Sequence, residues 1–407
     1  MRLITTLYTI ATILYLIPLF NFSVFNTYFL ASSINMLVLL LLVRTTGVNF
    51  IRKALNKKRA FFYLVLLFFV SQTISLITSI DLFLFLTRWK GLVVLLIFIT
   101  NSLLIKEQFK THKFEKVIKQ ILFTANFINA LIALIIIIAP NFFLYYGKKI
   151  LNLGLLELIL LNIERGRIYL ASYEEILIPI IMLIAIYSKK NVKKILALLV
   201  LLSIIGLSFQ TSFRTKLVMT IFAILTSTLI YTKNSMKILI IILVFFFFLP
   251  KITLNKIGQN NTFSRILQSK QEDVETIESR LQQYKESFHI FLSSPFLGVG
   301  LGNYHHYTNK SHYTIINKNR KIIISDAQLP HNIFFHILAE TGLIGLLSYF
   351  ILLLYFINKD LKNLQKKNKL KFAYILSFWT LFIYSLFNPT LNTSYNVLFW
   401  LLRTNIE

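Results

Sequence analysis

The stretch that decides the fold is His331–Ile357, HNIFFHILAETGLIGLLSYFILLLYFI, in which Glu340 is the only acidic or basic residue apart from histidine. A run of this length exceeds the roughly 17 to 25 apolar residues that cross a hydrocarbon core about 30 Å thick. Similar runs recur from Leu3 to Leu402, and 56% of the 407 residues are hydrophobic. A soluble domain of this composition would expose too much apolar surface. The sequence therefore predicts a polytopic integral membrane protein.

The predicted fold class is all-α, with about 12 transmembrane helices and one large loop between spans 9 and 10. Residues 1–254 would hold spans 1–9, residues 255–330 the loop, and residues 331–407 spans 10–12. The first run lacks a small-residue cleavage site and is interpreted as an uncleaved span. The weak stretch Ile150–Ile163 is interpreted as interfacial or re-entrant. The predicted spans are Leu3–Phe20, Phe25–Val43, Phe61–Ile80, Leu82–Ile105, Val117–Ala139, Ile168–Tyr187, Val192–Phe209, Lys216–Tyr231, Ile238–Leu254, His331–Ile357, Phe372–Phe387 and Leu391–Leu402.

The basic residues indicate how the chain is oriented. A formal net charge of +27 could point to nucleic acid, but Lys and Arg lie in short runs between apolar segments, where positive charge retains loops in the cytoplasm. We therefore expect no nucleic-acid partner, cytoplasmic termini and a loop on the outer face of the membrane. The chain contains no Cys, which excludes disulfides, thiolate metal sites and cysteine nucleophiles. The basic connections are Arg44–Arg59, Lys106–Lys119, Lys189–Lys194, Lys233–Lys237 and Lys359–Lys371.

Several cations are predicted at the outer face, against the positive-inside tendency. An anionic ligand on that face is the simplest explanation, and interface anchors whose side chains snorkel to the headgroups are the plain alternative. Glu340 lies inside a span, where an acid is costly without a partner, so an outer-face arginine is its expected counter-charge. The outward cations are Arg88, Arg165, Arg167, Arg214, Arg280 and His331.

The long polar loop, Asn255–Pro330, is where chemistry is expected, because six of the seven His residues lie in it or in the span that follows. Within Glu272–Ser294, apolar residues recur at spacings of three and four, which predicts an amphipathic helix able to lie on the membrane surface. Pro295 ends this helix, and the turn GVGLG follows; without a preceding strand it is no nucleotide fingerprint. The loop histidines His305, His306 and His312 are interpreted as solvated rather than as a metal site.

Three strings of sequence carry a family resemblance. Arg280, then SSPFLGVGLGNYHH (Ser293–His306), then LPHNIFFHILAETGLIGLL (Leu329–Leu347) resemble the carboxy-terminal signature of the O-antigen ligase and O-antigen polymerase superfamily. GLSFQTSFRTKLV (Gly206–Val218) is similar to a span-connecting segment of that family with an arginine at the outer face, here Arg214. ERGRIYLASYEEILIP (Glu164–Pro179) is similar, more weakly, to a segment that precedes an earlier span.

The resemblance implies glycosyl transfer from an undecaprenyl-pyrophosphate-linked saccharide at the outer, periplasmic side of the bacterial inner membrane, without nucleotide sugar, metal or other cofactor. Arg214 and Arg280 would hold the diphosphate through bidentate guanidinium bonds. His331 would accept the proton of the acceptor hydroxyl. Membrane lipids and a chain-length regulator protein are the other candidate partners. Further substrate-binding candidates are Arg167, Arg88, Glu175, Asn332 and His306.

Two reactions share this apparatus, and a third function is of another class. The expected activity is an O-antigen polymerase joining repeat units, because the loop strings look more like that branch. The alternative is an O-antigen ligase that transfers finished polymer to lipid A core. A polysaccharide flippase or other transporter is less well supported, because transporters typically show two similar halves and no internal repeat is evident. The pair Glu174 and Glu175 is as consistent with a structural ion pair as with a substrate contact.

Overall fold

The computed structural model describes residues 2–16, 27–138, 174–210, 214–231, 271–308, 313–317, 320–324, 329–365, 368–388, 390 and 394–407. The predicted span Ile238–Leu254 and the predicted interfacial or re-entrant stretch Ile150–Ile163 lie outside these residues, as do Arg165, Arg167 and His312. Helices make up most of the described chain. They are α1 (Arg2–Leu16), α2 (Thr27–Lys57), α3 (Arg59–Ile74), α4 (Leu82–Gln108), α5 (Lys110–Ile138), α6 (Ile178–Tyr187), α7 (Asn191–Gln210), α8 (Arg214–Tyr231), α9 (Gln271–Ser293), α10 (Tyr304–Thr308), α11 (Ile333–Leu364), α12 (Lys369–Ser385) and α13 (Ser394–Ile406), with short 3₁₀ turns at Ser75–Thr78 and Glu174–Leu177.

Apolar helices of membrane-spanning length are present, as the sequence predicts. Among the described residues, four helices are long and apolar enough to cross a bilayer: Phe29–Lys57, Arg59–Thr78, Leu82–Gln108 and Ile333–Leu364. On the last of these, Leu347 and Leu354 are 56% and 64% exposed, as expected of side chains that face lipid. The protein is therefore a helical membrane protein, and the number of twelve spans stays a prediction.

The ends of the helices differ from the predicted ends of the spans. Helix α2 continues through the basic connection as far as Lys57, with non-helical backbone only at Gly47. Helix α11 likewise continues to Leu364, and α5 already begins at Lys110. Lys, Arg and Ala are good helix formers, so positive charge marks where contact with lipid ends rather than where the helix ends.

A short hairpin departs from the predicted all-helical architecture. Strands β1 (Tyr313–Asn317) and β2 (Arg320–Ile324) pair antiparallel, with Tyr313 opposite Ile324 and Asn317 opposite Arg320. Both strands are rich in β-branched Thr and Ile, which favour extended backbone. The sequence analysis made no prediction for these residues, although their composition carried this signal.

The basic connections gather at one end of the helices. Lys57 forms an ion pair of 2.6 Å with Glu107, which joins the connection after α2 to the one after α4. Lys369, which opens α12, lies 3.8 Å from the ring centroid of Tyr187, the last residue of α6. The Tyr187 hydroxyl in turn donates to the carbonyl of Tyr231, the last residue of α8. This clustering is what a positive-inside arrangement requires, while the side of the membrane stays a prediction.

Helix α11 is interrupted, and the loop fills the interruption. At Gly342 the backbone has φ 63° and ψ −160°, so the regular hydrogen-bond ladder stops there. The Leu343 N–H instead donates to the Pro295 carbonyl at 2.9 Å, and the Ile344 N–H donates to the Phe296 carbonyl at 3.2 Å. The segment after α9 thus supplies the acceptors that the broken helix lacks.

The same segment also uses the carbonyls that the break sets free. The Val299 N–H donates to the Ala339 carbonyl at 3.0 Å, and the Gly300 N–H to the Glu340 carbonyl at 2.9 Å. The contact is close: a Cβ added at Gly298, where φ is +69°, would lie 2.3 Å from the Glu340 carbonyl carbon. The two motif strings of the sequence are therefore two halves of one interlocked structure.

Candidate functional site

Helix α9 packs against the start of α11 and holds the backbone of His331, which lies two residues before that helix. The Tyr284 hydroxyl donates to the His331 carbonyl at 3.2 Å. The Tyr284 ring stacks on Phe335 with centroids 4.6 Å apart and planes 8° apart. The preceding Pro330 is buried. These contacts place His331 on a rigid helix entrance, as the sequence predicts.

The imidazole of His331 is held in a largely buried place beside two α9 side chains. Its Nδ1 lies 2.8 Å from Oε1 of Gln283. Burial, followed by the positive charge of Arg280, lowers the pKa of His331 to about 4. The imidazole is therefore neutral near pH 7 and has a lone pair to accept a proton. This pKa lies below the near-neutral value that the sequence analysis assumed for a general base.

Arg280 lies close enough to His331 for its positive charge to act on the imidazole. Among the described residues, no carboxylate forms an ion pair with Arg280, and none accepts a hydrogen bond from its buried Nε. Placing a guanidinium in partly buried surroundings is costly unless an anion pairs with it. The arrangement of Arg280 and His331 thus combines an anion-binding group with a neutral proton acceptor.

Asn332 has a structural role that accounts for its side chain. Its Oδ1 accepts from the Phe334 and Phe335 N–H groups at 2.8 and 3.3 Å, which makes it the N-cap of α11. Its Nδ2 donates to the Leu386 carbonyl at 3.2 Å, so it also ties α11 to the end of α12. The predicted substrate contact of Asn332 stays a prediction.

A second polar cluster lies on the face of α11 that is turned toward α3 and α4. His336 Nε2 is 3.3 Å from Glu340 Oε2, and both residues are almost fully buried. Arg88 lies beneath the glycine turn, where a Cβ on Gly302 would be 2.9 Å from its Cγ, and its charge acts on Glu340. The direct partner of Glu340 is therefore His336, with Arg88 as a further charge. A small cavity here is lined by these three residues and Gln72.

His306 lies on α10 and pairs with the entrance of α4. Its Nε2 is 3.0 Å from Oδ2 of Asp81, and both side chains are partly exposed. The Leu84 N–H donates to Oδ1 of Asp81 at 2.9 Å. That backbone hydrogen bond, followed by the contact with His306, lowers the pKa of Asp81. Within the described part of the chain, no group of three His, Asp or Glu residues is placed to hold a metal ion.

The remaining candidates lie on or near α8 and the second 3₁₀ turn. Arg214 is the first residue of α8, and its side chain lies outside the described part. Glu175 is buried, and the charge of Lys216 on α8 acts on it. Lys216 and Gln283 were missed by the sequence analysis. A signal for Gln283 was present, because it follows Arg280 by three residues and so shares its helix face.

Comparison with known proteins supports the family. A family model described as O-antigen ligase matches residues 209–350, the part of the chain that contains Arg214, Arg280, the glycine turn and His331. A comparison with curated proteins found no match. The match confirms the resemblance seen in the motif strings: residues 209–350 of this membrane protein match an O-antigen ligase domain, which supports the O-antigen ligase and O-antigen polymerase superfamily.

Proposed function

We propose that the protein is an O-antigen polymerase, which joins undecaprenyl-pyrophosphate-linked repeat units at the periplasmic face of the bacterial inner membrane. The observation that carries this proposal is the neutral imidazole of His331 beside the guanidinium of Arg280, which pairs with no carboxylate among the described residues. Both lie within the O-antigen ligase domain and at the entrance of an apolar helix. The polymerase activity itself rests on the appearance of the loop strings.

In the proposed reaction the acceptor sugar hydroxyl gives its proton to His331 as its oxygen bonds to the anomeric carbon of the donor. The bond between that carbon and the diphosphate oxygen breaks, and undecaprenyl diphosphate leaves with the electron pair. Arg280 and Arg214 would stabilise the growing charge through bidentate bonds. Arg167 and Arg88 are further candidates for the same diphosphate, and Glu175 and His306 are candidates for sugar hydroxyls. No metal is needed in this scheme.

The acceptor distinguishes the polymerase from the ligase. The test is the lipopolysaccharide gel profile of a deletion strain, complemented with the wild-type gene or with His331→Ala. A single repeat unit attached to core, restored to a ladder only by the wild type, is the expected result. Bare core alone would replace the polymerase by a ligase or a flippase. An unchanged ladder in the deletion strain would reject all three functions.

The predicted orientation has its own test. Reporter fusions should show alkaline phosphatase activity near Lys310, in the loop, and none near Lys57, in a basic connection. This expectation follows from the clustering of the basic connections at the helix ends opposite to the entrance of α11. Activity near Lys57 without activity near Lys310 would overturn the periplasmic assignment.

A further inference from the structure

The side-chain amide of Gln283 makes two contacts with one residue. Its Oε1 lies 2.8 Å from His331 Nδ1 and 3.4 Å from the His331 backbone nitrogen. A backbone N–H can only donate, so the amide atom that faces it must be the oxygen. The same oxygen then also faces Nδ1, and an oxygen acceptor requires a proton on that nitrogen. The backbone contact thus fixes the orientation of the amide independently of the imidazole.

The protonated Nδ1 determines what the other ring nitrogen does. In a neutral imidazole one nitrogen is a donor and the other an acceptor. Because the imidazole of His331 is neutral near pH 7, a proton on Nδ1 leaves the lone pair on Nε2. A proton acceptor must present a lone pair to the substrate, so the tautomer decides which edge of the ring is reactive.

The surroundings hold Gln283 in this position. Gln283 is only 7% exposed and lies in the interior of α9. Its backbone carbonyl accepts from the Ser287 hydroxyl at 2.7 Å, and the neighbouring Tyr284 holds the His331 carbonyl. Helix α9 therefore grips both the N–H and the C=O of His331, and the ring has little freedom to turn away from the amide.

We infer that Gln283 is a positioning residue that holds His331 in the Nδ1-protonated tautomer and makes Nε2 the atom that takes the proton of the acceptor hydroxyl. The role as proton acceptor rests on the proposed function, whereas the tautomer does not. Gln283 itself touches neither donor nor acceptor in this scheme. The catalytic proton would leave the hydroxyl oxygen and bond to Nε2, which gives an imidazolium with both nitrogens protonated.

The tautomer can be measured without any assay of activity. The full-length protein, labelled with ¹⁵N at histidine and placed in lipid nanodiscs, is examined by NMR near pH 7, with His331→Ala used to assign the signals. We expect a protonated Nδ1 and an unprotonated Nε2 at His331. Gln283→Leu should lose this pattern, whereas Gln282→Leu, an equal change at the adjacent glutamine, should keep it. A protonated Nε2 in the wild type, or an unchanged tautomer in Gln283→Leu, would overturn the inference.

The functional consequence is measured separately with a lipid-linked saccharide donor. Gln283→Leu should lower turnover by at least about 10-fold, with donor binding unchanged. This loss should be smaller than the about 10²- to 10⁴-fold loss expected when a general base is removed. Gln283→Glu keeps an acceptor oxygen and should restore turnover. Its carboxylate stabilises the imidazolium, so the acidic limb of the pH profile should move to higher pH, which a purely structural residue would not cause.

The two readouts separate the inference from the proposed function. If the tautomer changes in Gln283→Leu while turnover stays at the wild-type level, the positioning contact exists but His331 is not the proton acceptor, and the catalytic part of the inference is rejected. If Gln283→Leu does not fold, Gln283→Glu still tests the inference. An acidic limb that is not shifted in Gln283→Glu would contradict the contact between Gln283 and His331.

Discussion

An arginine lies near each end of helix α11, and the two arginines differ in the charges that surround them. At the far end, Arg403 is fully buried, and its Nη1 contacts the two carboxylate oxygens of Asp360 at 2.8 and 2.9 Å. Its Nη2 lies 2.8 Å from Oε1 of Glu407, and its guanidinium lies 4.0 Å from the ring centroid of Phe356. At the entrance, Arg280 has no ion pair with a described carboxylate.

The difference shows how a structural cation can be distinguished from a binding cation in the same protein. Two carboxylates compensate the charge of Arg403, so this arginine fixes α13 against α11 and needs no ligand. The charge of Arg280 acts instead on a neutral imidazole, which neither compensates it nor repels an anion. Within the described part of the chain the guanidinium at the entrance thus lacks the carboxylates that compensate the one at the far end, and this difference supports the proposal that Arg280 binds an anionic group.

Removal of His331 should have the largest effect at the entrance. His331→Ala should lower the rate of transfer on the order of 10²- to 10⁴-fold, because a positioned base contributes about that much. Binding of the lipid-linked donor should survive, because Arg280 remains. The measurement compares single-turnover rates and donor binding for purified wild type and variant. A variant with the normal rate but lost donor binding would make His331 a diphosphate ligand instead.

The two arginines should fail in different ways. Arg280→Lys keeps the charge and loses the bidentate fork, so we expect a severe loss of product at normal membrane levels; the same is expected of Arg214→Lys. Arg403→Ala removes the cation that pairs with Asp360 and leaves Glu407 with Lys359 at 3.8 Å, which should cost about 3 to 5 kcal/mol of stability and lower the Tm. Product yield and thermal unfolding in nanodiscs are measured for all variants. Near-normal activity in both Lys variants would reject a specific diphosphate clamp.

The close contact between the glycine turn and α11 should be weakened by one added methyl group. Gly298→Ala places a Cβ 2.3 Å from the Glu340 backbone at a residue with φ +69°, so the glycine turn must move away from α11. We expect a loss of about 1 to 3 kcal/mol, measured as a lower Tm. Gly206→Ala is the matched control, because nothing lies within 4 Å of its added Cβ and alanine favours helix. Equal effects of the two changes would contradict the close contact.

The smallest expected effect is a shift of the pH profile by the donor. Because burial and the charge of Arg280 lower the pKa of His331 to about 4, protonation of His331 disfavours the folded state. Its contribution to stability is full above the ordinary value of 6.5 and is lost as the pH falls toward 4. A diphosphate on Arg280 offsets that charge and raises the pKa. The acidic limb of kcat should therefore lie at higher pH than that of kcat/KM; coincident limbs would contradict the coupling.

The sequence predicted the loop helix α9 well, because an amphipathic helix leaves a local periodic pattern. It made no prediction of which face of α9 packs against protein. The apolar residues Leu281 and Phe288 are about half exposed, whereas Gln283 and Ser287 are buried. In a membrane protein the apolar face of a helix can turn to lipid while the polar face packs inward. A rule learned from water-soluble helices therefore hides Gln283.

The break in α11 could not be predicted from the local sequence, for a different reason. Thr341 and Gly342 lie in an apolar run that is compatible with a continuous helix. What stabilises the non-helical backbone at Gly342 is a partner more than 40 residues earlier in the chain, at Pro295 and Phe296. Long-range hydrogen bonds of this kind leave no periodic signal, so only the three-dimensional structure reveals them.

This exchange of hydrogen bonds has a consequence for how the protein is made. The predicted boundary at Pro330 separates loop from span, yet the acceptors of Leu343 and Ile344 belong to the loop. An α11 that enters the bilayer before the glycine turn docks carries unpaired backbone groups, which are costly in lipid. Insertion of this span is therefore complete only when the glycine turn, a segment synthesised earlier, docks onto it. Neither piece is a module that can be transplanted without the other.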